Sequence, residues 1–124
     1  MASKSILMTA MFDQFISFTT ELIEMYPEDS DFPLFLTTLK MMKMTNPSLV
    51  AKYVYDNTNQ FEKQILNKDE QFFINYSFSE YSNNVDLNIF LKLKNYITSM
   101  NESSKENVWK YIQNIFKLSK AIIA

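Results

Sequence analysis

Four groups of side chains have the types and spacing for chemistry or recognition. The first is acidic: Glu28, Asp29 and Asp31 share one turn, with Glu24 four residues before Glu28. Clustered carboxylates supply the hard oxygen ligands that Ca²⁺ or Mg²⁺ takes. The EF-hand spacing and its glycine are absent, however. Acids ahead of a helix also favour its N-terminal dipole, so the plainer reading is a solvated acidic turn.

The second group is basic: Lys92, Lys94, Lys105, Lys110, Lys117 and Lys120. Lys110 and Lys117 are two helical turns apart and Lys120 lies one turn further, so these three share a side and form a candidate nucleic-acid-binding face. Against it stand the overall net charge of −2 and the need of any amphipathic helix for a solvated face. The third group is Met41-Met42-Lys43-Met44, in which Met41 and Met44 are candidate partner-binding residues, because thioether side chains adapt to varied surfaces. The fourth is aromatic: Phe78 and Tyr81 lie in a polar stretch with Asn75, Ser77, Ser79, Ser82 and Asn83. Aromatics carried on a polar loop are frequent recognition anchors. Core packing is the ordinary alternative for both groups.

What is missing narrows the field further. The 124 residues contain no Gly, Cys or His, and all twelve basic residues are Lys. Within this chain that leaves no imidazole or thiolate for a zinc, iron–sulfur or haem site, so no cofactor is expected. It also leaves no Ser-His-Asp or Cys-His constellation. Phosphate-cradling glycine loops and a nucleophile elbow are excluded as well, and no guanidinium fork is available. A cofactor-free enzyme built on Glu, Asp, Lys and Tyr has no paired-carboxylate signature here. The expectation is a protein that is not an enzyme.

The elements that must position these groups are helical. Apolar residues recur mostly three or four apart as Met8, Met11, Phe12, Phe15, Phe18, Leu22 and Met25, and Pro27 ends the pattern. Leu34 to Met44 is a second apolar stretch. Asn46-Pro47 predicts a third helix start, which Asp56 to Asn59 breaks. Phe61, Ile65 and Leu66 mark a short fourth helix, and Asn67 to Glu70 precede a turn holding Phe72 and Phe73. Ile74, Tyr76 and Phe78 alternate with Asn75, Ser77 and Ser79 like a strand without a partner, and 74–84 reads as an extended loop. Asn84 opens a helix with Leu87, Phe90, Leu91, Ile97 and Met100. Ser103 and Glu106 read as a capping box for a last helix striped by Val108, Trp109, Ile112, Ile115, Phe116 and Ile122 or Ile123. The prediction is an all-α fold: a single compact bundle of about six helices over 1–124.

Residues 1–31 carry six acids against one Lys, and the remainder carries the excess of Lys. Opposite-signed regions can simply pack together, so this asymmetry names no partner. No signal-peptide core is legible, and no stretch reads as a membrane span. The chain therefore reads as intracellular, without settling whether it self-associates. Phe, Tyr, Met, Ile, Asn and Lys make up 61 of the 124 residues, a skew that an AT-rich genome produces.

Three segments carry a resemblance: Met44-Thr45-Asn46-Pro47, Gln64 to Phe73 (QILNKDEQFF), and Glu106 to Gln113 (ENVWKYIQ). In this order they resemble a set of small α-helical proteins of giant nucleocytoplasmic large DNA viruses of algae and protists, over most of residues 1–123. The Trp-Lys-Tyr-x-Gln segment is the most specific part. The resemblance implies a viral, intracellular, helical protein, in the host cytoplasm or nucleus or packaged in a virion. It brings no activity with it, so no functional residue transfers. The functional expectation is a viral protein–protein interaction module with a host, viral-factory or virion partner. The alternative is a nucleic-acid-associated protein using the lysine face of the two C-terminal helices.

Overall fold

Helix caps divide the chain. In a computed structural model, which describes residues 3–75 and 88–123, Ser3 Oγ accepts the Ile6 amide at 3.2 Å and opens α1, Lys4–Met25. Pro27 follows its end. The acidic turn leads into α2, Asp31–Thr45, whose first turn holds Pro33 where no intrahelical donor is needed. Asn46 is the N-cap of α3, Pro47–Thr58, with Pro47 at the first position, although the Asn46 side chain makes no capping hydrogen bond.

The expected break at Asp56 to Asn59 is corrected. Lys52 pairs with Asp56 at 3.1 Å, one turn apart. Asn57 Nδ2 and Thr58 Oγ1 bond back to the carbonyls of Tyr53 and Val54 at 2.8 and 2.6 Å. Side chains that usually compete with helix here reinforce it. The helix runs to Thr58 and tightens into a 3₁₀ turn, Asn59–Phe61.

Next comes α4, Glu62–Leu66, closed by a Schellman pair: the Asp69 amide reaches Gln64 O and the Lys68 amide reaches Ile65 O. The left-handed position glycine would normally take is filled by Lys68, at φ 52°. Asp69 then caps α5, Glu70–Asn75, through a 3.1 Å bond from the Phe72 amide. Ile74 and Asn75 are therefore helical, not extended, and residues 76–84 of the expected loop lie outside the described residues, as does the expected start at Asn84. α6 spans Asn88–Ile97, and Met100 lies beyond its end.

α7, Glu102–Ile123, starts earlier than the capping box predicts. Asn101 Oδ1 accepts the Ser104 amide at 2.8 Å, so Asn101 is the cap and Ser103 falls inside the first turn. Asn is as good an N-cap as Ser, and Glu106 instead faces Lys68 at 3.7 Å. The buried stripe of α7 is Val108, Trp109, Ile115, Phe116, Ser119 and Ile122. Ile122 is the core residue of the C-terminal pair, and Ile123 stays exposed.

The described residues contain no strand, and the fold is all-α. α1 lies against both α7 and α2, and α7 also packs on α3. Met11, Phe12, Phe32, Leu39, Ala51, Ile97 and Trp109 meet in the main core. Phe61, Ile65 and Phe116 make a smaller cluster beside it. By length and composition α1 is long and apolar enough to cross a membrane, which corrects the expectation that no stretch reaches that size. A core helix meets the same criterion, and α1 buries Met11, Phe12, Phe18 and Leu22 against its neighbours.

Candidate functional site

The acidic turn already has its cation. Lys92 Nζ, from α6, lies 2.8 Å from each carboxylate oxygen of Asp29 and 2.7 Å from Asp31 Oδ2. Tyr96, one turn further along α6, donates to Asp29 Oδ2 at 2.6 Å, and the Asp31 amide donates to Oδ1 at 3.0 Å. The Tyr96 ring stacks on Tyr26 with centroids 3.8 Å apart. The Asp29 side chain is only 7% exposed.

Burial alone would raise the Asp29 carboxyl. The hydrogen bonds from Lys92, Tyr96 and the Asp31 amide, with the lysine charge, outweigh it and hold the group below its ordinary value. Hydrogen bonds to Asp29 and Asp31 raise Lys92 in turn, and the bond to Asp29 raises Tyr96. All three shifts move away from neutrality, the opposite of what a general acid or base working near pH 7 requires. Among the described residues no group of three or more carboxylates is placed to hold a metal. The cluster ties α6 to the α1–α2 turn.

The lysine face is divided by acids distant in sequence. Lys120 pairs with Glu62. Lys105 Nζ lies 3.0 Å from Glu70 Oε1, in charge contact without hydrogen-bond alignment. Lys92 belongs to Asp29 and Asp31. Lys110 and Lys117 remain exposed on α7, with Lys117 bordering a shallow groove that also holds Asp13. No spacing rule signals these pairings, because Glu62 and Glu70 reach α7 only when α4 and α5 fold onto it.

The candidate residues Met41 and Met44 stand clear of the core. Met41 is 55% and Met44 87% exposed, and they are joined by Leu34 at 61%, Leu49 at 50% and Ile6 at 63%. The buried side of α2 is set by Phe32 and Leu39. Leu34 and Met41 each follow one of these by two residues, which turns them about 200° away. That offset was the signal available for Leu34. Leu49 sits on the first turn of α3, just beyond Met44. A groove at the same end of the bundle is lined by Met8, Phe12, Pro47 and Ile122, with Lys4 and Lys43 among its polar residues. Phe78 and Tyr81 lie outside the described residues.

A separate cavity of about 100 Å³ sits where the end of α3 meets α4, α5, α6 and α7. Phe61, Ile65, Phe73, Ile97, Val108 and Trp109 supply apolar wall.

Comparison with protein-family models, curated proteins and solved structures returns no match to this chain.

Proposed function

We propose that this chain is a non-enzymatic viral interaction module that binds a partner protein through the outer face of α2 and the start of α3. The supporting observation is the exposure of Leu34, Met41, Met44 and Leu49 together on two consecutive helices. Large apolar side chains gathered on one face mark interaction sites, whereas scattered ones need no explanation. The two methionines adapt to a partner's shape. Exposed Lys40 and Lys43 flank them and favour acidic residues beside the partner's apolar contacts. An amphipathic helix laid along α2 satisfies both conditions. The viral and intracellular setting rests on the three resembling segments and the AT-rich composition.

The nucleic-acid reading is disfavoured by charge, since Glu62, Glu70 and the Asp29–Asp31 turn answer much of the lysine face. Affinity capture from infected cells tests the proposal, using the wild-type chain and a Met41→Glu, Met44→Glu variant with matched helical circular dichroism. The expected result is a protein retained by the wild type and lost by the variant. Equal capture by both chains overturns the α2 assignment. Retention on DNA at low salt that falls steeply as salt rises, unchanged in the variant, moves the function to the lysine face.

A further inference from the structure

We propose that the cavity between α3, α4, α5, α6 and α7 is a binding site for a small, uncharged, apolar molecule of benzene size. Its walls are nearly free of polar surface, with Phe61, Phe73 and Trp109 offering aromatic faces and Ile65, Val108 and Ile112 aliphatic ones. Four polar residues border it: Asn57, Thr58, Glu70 and Lys94. Asn57 and Thr58 donate back to their own helix at 2.8 and 2.6 Å, and Glu70 Oε1 lies 3.0 Å from Lys105 Nζ in charge contact, without an aligned hydrogen bond.

A water needs two to four polar partners and little of this lining is polar, while apolar cavities of about 150 Å³ stay dry and take up benzene. At about 100 Å³ this cavity suits a ligand no larger. A peptide segment fits poorly, because its backbone groups would find no unspent donors on Asn57 or Thr58. A charged ligand would lose its hydration against a wall that is almost wholly apolar. The chemistry of the walls thus selects an aromatic or short aliphatic molecule without a charge.

Trp109 is the only tryptophan in the chain and lines the cavity, so it reports occupancy directly. The experiment titrates the full chain with benzene and with benzoate, following Trp109 emission and the thermal midpoint. Benzene is expected to change the emission saturably and to raise Tm by about 3 °C or more at saturation. Benzoate is expected to bind at least tenfold more weakly. Val108→Ile and Ile112→Phe, which fill the void from two sides, are expected to abolish the benzene response; if one fails to fold, the other serves. The proposal is overturned if benzene produces no saturable change, if benzoate matches it, or if a folded, filled variant responds like the wild type.

Discussion

Tyr96 donates its phenolic proton to Asp29 Oδ2 at 2.6 Å, joining residues 67 positions apart and fastening α6 onto the turn between α1 and α2. The carboxylate is shielded from water and takes two further bonds from Lys92. Asp29→Ala should therefore cost about 1–3 kcal/mol, the range for losing charged hydrogen bonds at a shielded site. Tyr96→Phe keeps the stack on Tyr26 and should lower Tm by less. Urea denaturation of the two variants checks the order.

The same cluster makes stability depend on pH at both extremes. Asp29 is held below its ordinary value, so the unfolded chain takes up that proton first. Its contribution is complete above the unfolded value of about 3.9 and is lost as pH falls through the lower folded value. Lys92 is raised, so its contribution is complete below about 10.4 and is lost as pH climbs through the higher folded value. The contributions of these two groups to unfolding free energy should be flat between these limits. In Asp29→Asn the losses at both extremes should shrink; an unchanged profile would refute the assignment.

Asn101 and Ser103 offer rival starts for α7, and only Asn101 makes the capping bond, at 2.8 Å. Asn101→Ala should cost about 1 kcal/mol, whereas Ser103→Ala, in the first turn, should stay within about 0.5 kcal/mol of wild type. Thermal melts of the two single variants distinguish them.

Trp109 is 6% exposed, and its ring centroid lies 5.8 Å from that of Phe73. Truncation would enlarge a void already present at that point. Trp109→Ala should cost about 3–5 kcal/mol, enough to unfold a marginal domain. Circular dichroism at 37 °C and a denaturant midpoint provide the check.

Met44 and Met41 should be replaceable without structural penalty. At 87% and 55% exposure, Met44→Glu and Met41→Glu should each change stability by no more than about 0.5 kcal/mol. A larger loss in equilibrium unfolding would show these side chains to be packed.

Local order settled much of this molecule because its signals act within one or two turns. Apolar spacing of three and four marked α1 and α7, Pro27 and Pro47 placed helix ends, and the stretch Asn67 to Glu70 marked the approach to α5, with Asp69 picked out as its cap only by the fold. The helical class and the stripe from Val108 to Ile122 follow from that alone. Asp56 to Thr58 were misread because Asn and Thr can break a helix or bond back into it, and the choice falls to the neighbouring carbonyls. Ser103 was misread because two residues with equal capping ability stood two positions apart. What folding alone decided is which charges meet and which apolar groups are left out. Lys92 with Asp29, Lys105 with Glu70 and Lys120 with Glu62 are unions between helices. Their partners lie tens of residues away, where spacing carries no information. Exposure of Met41 and Met44 likewise depends on which side of α2 the rest of the bundle covers, and the cavity beside Trp109 exists only because five elements converge without filling it.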